Sequence, residues 1–308
     1  MKQKIGCFLV PLVVLNLCCL STPAQVSPSN HAFSVPFDYE HDEIILQVKV
    51  NGLGPFNMML DLDTDPSAID VKTARELNLK LKEVGKRGLG GGSGSNQIYT
   101  TRLPQVAVGD LIVKDLEAVA TDLSQISQKL GRPLHGVLGN SLTKNRVVQI
   151  DYPAKVVLFS DGSPLPQKQP NAAQRVTLPF VFDKGSASII VNDVYVNDKK
   201  IKGTLDTGSD GTFKLTWAAT VALGLQEEAQ KGEPGTSLGY NGEAPFRKGK
   251  VKTIAIGQIK VETPEVVYFM KGGGRDDKPW GINIGNAFLK DFILTVDYRR
   301  KQIILERP

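Results

Sequence analysis

Gly285-Asn286-Ala287-Phe288-Leu289-Lys290, then Phe292-Ile293-Leu294-Thr295-Val296-Asp297-Tyr298, then Lys301-Gln302-Ile303-Ile304-Leu305, restates an earlier passage of the same chain. The earlier copy runs Gly139-Asn140-Ser141-Leu142-Thr143-Lys144, then Arg146-Val147-Val148-Gln149-Ile150-Asp151-Tyr152, then Lys155-Val156-Val157-Leu158. The glycines stand 146 positions apart (285 − 139), and the Asp-Tyr pairs keep that register without a gap (297 − 151). The halves also begin alike. Val35-Pro36-Phe37 leads to Ile44-Ile45-Leu46, and Leu178-Pro179-Phe180 leads to Ile189-Ile190-Val191. A unit this long, occurring twice, implies a duplicated lobe, because a solenoid needs three or more short units.

Around these repeated passages, each half reads mainly as β structure: short or alternating apolar runs bounded by Gly, Pro, Asn and Asp. One helix per half is expected early, at Val71 to Leu79 and at Trp217 to Leu225, with a helical turn after Gly139 and after Gly285. The Pro-, Gln-, Ser- and Asn-rich stretch Ser160 to Arg175 reads as an exposed linker. The expected fold class is all-β with a few short helices, in two lobes spanning residues 25–165 and 166–308.

The chain has 308 residues, 41% hydrophobic and 22% charged, a composition that excludes disordered and collagen-like classes. Lys2 and Lys4, the apolar run Ile5 to Leu20, and Thr22-Pro23-Ala24 form the pattern of a signal peptide, residues 1–24, cleaved before Gln25. The run is short for a membrane span, which takes ~20 residues. Lipid attachment at Cys18 or Cys19 fits less well, because Leu17 and Cys18 are not the small residues it requires. The expectation is export, to a periplasm or out of the cell, with no stable membrane span afterwards.

Cys7, Cys18 and Cys19 all lie in that segment, so the mature chain would have no disulfide, thiolate nucleophile or cysteine metal site. Losing Lys2 and Lys4 lowers the formal charge from +5 to +3, too weak a basic balance for nucleic acid. His31, His41 and His135 lack metal-site spacing and read as surface or packing residues. Gly88 to Ser95 has neither Rossmann nor P-loop spacing. It belongs either to a flap over a cleft or to a long exposed loop. Gly235-Thr236-Ser237-Leu238-Gly239 has the spacing of a nucleophile elbow, but its neighbours read as a loop rather than as strand and helix.

The chemistry is concentrated elsewhere. In the second half, Leu205-Asp206-Thr207-Gly208-Ser209-Asp210-Gly211-Thr212 follows a hairpin-like stretch turning near Asn197-Asp198-Lys199-Lys200. In the first half, Val50-Asn51-Gly52-Leu53-Gly54-Pro55-Phe56-Asn57-Met58-Met59-Leu60 leads to Asp61. Gly136-Val137-Leu138-Gly139 and Ile282-Asn283-Ile284-Gly285 follow in corresponding places. With these elements the chain resembles the aspartic peptidases of the pepsin and retropepsin type, including bacterial retropepsin-like proteins, over nearly all of its mature length.

The resemblance implies two acid-protease-like lobes with a substrate cleft between them, and an endopeptidase that uses no metal or cofactor. Asp61 and Asp206 would share one proton, since two close carboxylates cannot both ionise comfortably. Together they would activate a water against the peptide carbonyl. Thr207 would bond across to the other loop, Gly208 would let the loops approach, and Ser209 and Thr64 would supply hydroxyls toward the carboxylates. A peptide or protein is the expected partner, and a monomer the expected state.

The first copy departs from the pattern. It reads Asp61-Leu62-Asp63-Thr64, which lacks the cross-loop hydroxyl at 62 and puts a third carboxylate at 63. Registering Asp63-Thr64-Asp65 in the motif slot instead misplaces Ser67 and Ile69. The departure opens two further readings: a peptide-binding protein with impaired chemistry, or a homodimer pairing two copies of Asp206.

Overall fold

The computed structural model describes residues 32–87, 91–92, 94–162, 165, 175–184, 188–272, 278 and 280–308. Residues 1–24, expected to be a signal peptide, and His31, Gly88, Gly90 and most of the expected linker lie outside the described residues.

Each half carries an early hairpin whose turn is written in its sequence. Glu43–Val50 and Leu53–Leu60 are joined by Asn51-Gly52, with φ of 52° and 79°. Ile189–Val196 and Lys199–Asp206 are joined by Asn197-Asp198, with φ of 48° and 64°. Two consecutive residues at positive φ give a turn whose twist matches the strands, and Asn, Asp and Gly adopt it at least cost.

The expected helices form slightly short. Val71–Glu76 begins where the Asp70 carboxylate accepts from Lys72 N and Thr73 N. Trp217–Leu223 begins at Thr216, whose Oγ1 accepts from Ala219 N, and stops at left-handed Gly224. Such caps satisfy amides that have no partner within the helix. Two further short helices, Ser124–Leu130 and Gln226–Lys231, have no side-chain cap and so give no clear start signal in the sequence. The turns after Gly139 and Gly285 are Asn140–Thr143 and Asn286–Leu289.

The strands form two sheets. Eight strands of the first half make one, and a fifteen-stranded sheet takes the second half together with Ala32–Pro36, Val147–Asp151 and Val156–Ser160. The repeated segments meet in that larger sheet. Val147–Asp151 pairs antiparallel with Ile293–Asp297, centred on Gln149 opposite Thr295. These two residues are equivalents at the repeat distance of 146, and Gln149 Nε2 donates to Thr295 Oγ1 at 2.9 Å. A ladder centred on equivalent residues is what a two-fold relation between duplicated halves requires.

The repeated aspartate also has a local reason. Asp151 Oδ1 accepts from Ala154 N at 3.0 Å, and Asp297 Oδ1 accepts from Arg299 N at 3.0 Å and Arg300 N at 2.9 Å, folding each strand back on itself. One core cluster runs through both halves, including Leu60, Leu62, Leu138, Leu205 and Ile284, and fixes the strand ends that carry the two loops.

Candidate active site

Asp61 and Asp206 leave the ends of equivalent strands and face one cavity of ≈ 240 Å³. Each strand end is held by a parallel partner, Gly136–Leu138 in the first half and Ile282–Gly285 in the second. The glycines closing those partners lie hard against the loops. A Cβ at Gly139 would stand 2.6 Å from Pro66 O, and one at Gly285 would stand 2.7 Å from Ser209 O. The next residue's amide then ties down the loop: Asn140 N donates to Thr64 O at 2.7 Å, and Asn286 N to Ser209 O at 2.8 Å.

The second loop grips the first. Thr207 Oγ1 donates to Leu60 O and accepts from Leu62 N, both at 3.0 Å, so one hydroxyl straddles Asp61. Gly208 lies against Asp61 itself, where a Cβ would stand 2.5 Å from Cγ of the carboxyl. Thr207 and Gly208 thus both lie at the seam between the two loops. Leu62 returns no such grip. It is fully buried in the core cluster, a hydrophobic substitute for the missing hydroxyl.

Asp61 Oδ1 accepts from Asp63 N at 2.8 Å and Thr64 N at 3.1 Å, and its Oδ2 accepts from Thr64 Oγ1. Asp206 Oδ1 accepts from Gly208 N at 3.0 Å. The expectation for Ser209 needs correction: its Oγ is buried and has no hydrogen-bond partner among the described residues. Asp206 Oδ2 is served instead by Asn283 Nδ2 at 2.5 Å, from the strand that braces the loop. The signal is present in the sequence, because Asn283 occupies the place of apolar Val137 in the other copy.

Burial, and next the adjacent Asp206 carboxylate, push the Asp61 carboxyl up to about 7 against the pull of the Thr64 and Asp63 donors. Asp63 turns toward the second half, where Thr204 Oγ1 donates to its Oδ1 at 3.1 Å and Ser188 also bonds it. Burial first, then Asp206 and Asp61, hold Asp63 well above the usual carboxylate range. Glu43, also buried, is raised by burial and then by Asp210, Asp206 and Asp61. Burial works against ionised Asp210, yet Lys214 and Lys129 hold its carboxyl well below the usual range.

The cavity is roofed by two hairpins, one from each half. Gly91, Gly92 and Gly94 lie at the tip joining Lys82–Arg87 to Asn96–Val108, which resolves the flap-or-loop alternative toward a flap. Facing them is the tip of Glu233–Gly239 and Gly242–Lys250. Gly94 N donates to Asn241 O and Asn241 N to Gly91 O, each at 2.8 Å, so the tips close over the cavity. The Tyr240 hydroxyl reaches down to Thr64.

The segment expected to be a loop around Ser237 is therefore a strand. Ser237 pairs with Ala244 in a hairpin, and no strand–helix turn exists there to make a nucleophile elbow. His135 Nδ1 accepts from Asn57 N at 3.1 Å and packs beside Phe56, whereas exposed His41 sits in a turn at the cavity edge. Among the described residues no cluster of three His, Cys, Asp or Glu has metal-binding geometry. Among them, too, no helix is long and apolar enough to cross a membrane.

A family model described as Aspartyl protease matches this chain twice, at residues 46–142 and 191–288. Among solved structures, basic 7S globulin from soybean is similar at 12% sequence identity, over 90% of this chain and 95% of that one, with a TM-score of 0.49. No curated protein matches the chain.

Proposed function

The chain belongs to the aspartyl protease family, and on that premise we propose that it is an endopeptidase in which Asp61 and Asp206 jointly activate a water. The observation that carries this reading is the contact of the Gly208 backbone with the Asp61 carboxyl, which sets both carboxyls on one cavity. A pair sharing one proton can accept a proton from water with one member and donate to the peptide carbonyl with the other. The pair titrates as a unit, so neither role belongs to one residue alone. Thr207, Gly208, Thr64 and Asn283 position the carboxyls. Both loops come from one chain, so a second copy is not needed to build the pair. The leader-like segment 1–24 supports action after export.

The test is digestion of an unfolded protein from acid to neutral pH by the natural chain, beside Asp61→Asn and Asp206→Asn. Cleavage that disappears in both folded variants supports the reading. Cleavage that survives Asp61→Asn overturns the intramolecular pair.

A second reading is favoured by Leu62 and Asp63: a peptide-binding protein whose first loop has lost efficient chemistry. It requires the natural chain to be inactive and the double variant Leu62→Thr/Asp63→Gly to gain cleavage. A folded double variant without gain counts against it.

A further inference from the structure

Glu43 is left over by the mechanism. It begins the strand Glu43–Val50, is 6% exposed, and lines the cavity that holds Asp61 and Asp206. Its Oε2 is buried and has no hydrogen-bond partner among the described residues. A buried polar atom without a partner is rare enough in a folded protein to require a reason.

The surroundings narrow what the missing partner can be. Six carboxylates line the cavity against three lysines. Two of those lysines are already engaged, because Asp210 binds Lys129 at 2.5 Å and Lys214 at 3.0 Å through its two oxygens. The charges that raise Glu43 are all carboxylates, and Lys129 only partly offsets them. The site is therefore short of positive charge at Glu43. A metal ion fits poorly, since it needs several oxygen ligands and no such cluster forms among the described residues. One cationic group on an apolar stem fits well: the stem can lie along Met59, Ile126, Leu130 and Trp280, and the head can meet the carboxylate.

Resting on the peptide cleft of that reading, we propose that Glu43 is a specificity-determining residue that selects a lysine or arginine side chain of the bound peptide. Binding of that side chain ionises Glu43 and supplies the partner its Oε2 lacks. Glu43→Gln keeps the shape and removes the charge.

The test is digestion of a mixture of unfolded proteins of known sequence, with cleavage sites read by mass spectrometry. The natural chain is expected to enrich Lys and Arg at one fixed position relative to the cut. Matched peptides with lysine or norleucine at that position should differ by about 10- to 100-fold in kcat/KM. In Glu43→Gln that ratio should fall close to one, whatever the absolute rate. No enrichment, or the same ratio in the variant, overturns the inference.

If nothing is cleaved, the endopeptidase reading fails separately. Retention of a randomised peptide pool by the natural chain and by Glu43→Gln then decides about Glu43. Lysine- and arginine-rich retention lost in the variant upholds its role. Retention without that preference, or no retention at all, overturns it.

Discussion

The two loops at the centre of the cavity descend from one repeated unit and now do unequal work. Asp206-Thr207-Gly208-Ser209 supplies the grip on its neighbour and the bare backbone that lets Asp61 come close. Asp61-Leu62-Asp63-Thr64 supplies the gripped backbone and fills the remaining space with Leu62. Each carboxylate still receives an amide on one oxygen and a side-chain donor on the other. The donor is Thr64 from its own loop for Asp61, and Asn283 from the bracing strand for Asp206. Duplication has thus kept the electrostatic arrangement of the pair while letting its means diverge.

The largest expected effect comes from removing one carboxylate at a time. If the pair acts as one unit, Asp61→Asn and Asp206→Asn should each lower kcat/KM by about three orders of magnitude or more, and the double variant should be little worse. Unequal losses would mean that the divergence has reached the chemistry itself.

Next in size is the close approach. Gly208→Ala drives a methyl into the Asp61 carboxyl, with an expected cost of about 1–3 kcal/mol in denaturant unfolding. Misplacing the pair should also reduce cleavage by ~10²-fold. Adding a side chain at Gly211 is the control: it would meet the flexible end of Lys214 rather than the pair, and should cost less.

Much of this arrangement is legible in the amino-acid sequence, and the reason is the repeat. Two copies in one register identify the strands, the bracing glycines and the two loops, because a residue needed by the geometry occurs twice. The residues that stay hidden are those whose meaning depends on distant contacts. Tyr240 and Asn241 lie in a stretch that looks like a loop, and only pairing with Gly91 and Gly94 makes it a roof. Glu43 looks like any charged residue after a turn until the fold buries it. Asn283 is visible on comparing the copies, since a polar side chain interrupts an otherwise apolar strand. Ser209 misleads for the opposite reason: the motif is intact, but its hydroxyl is not used on the carboxylate.

The side-chain donors give a finer test. Removing one donor from a carboxylate, in Thr64→Val or Asn283→Val, should lower kcat/KM by about 10-fold. Thr64→Val should also move the pH profile. The Thr64 hydroxyl pulls the Asp61 carboxyl down from where burial and Asp206 would place it, and it still stands at about 7. Without that hydroxyl the proton of the pair is held to higher pH, so the alkaline limb of the rate profile should shift upward. A limb that stays in place would mean that Thr64 only supports the fold.

The smallest effect concerns Asp63, where the two loops differ most in charge. Its carboxyl is held well above the usual range in the folded chain, so the folded state keeps a proton that the unfolded state releases near its ordinary value. Folding is therefore favoured at low pH. Stability falls as pH rises from the unfolded value toward the folded one. Asp63→Asn removes that contribution and keeps an oxygen to accept from Thr204. The variant should melt a few degrees higher than the natural chain at neutral pH, with the difference closing in acid. Asp61 and Glu43 shift in the same direction, so the variant should still lose stability toward neutral pH, only less steeply than the natural chain. An unchanged slope would mean that the third carboxylate is carried by the fold without electrostatic cost, and that the loops differ in shape alone.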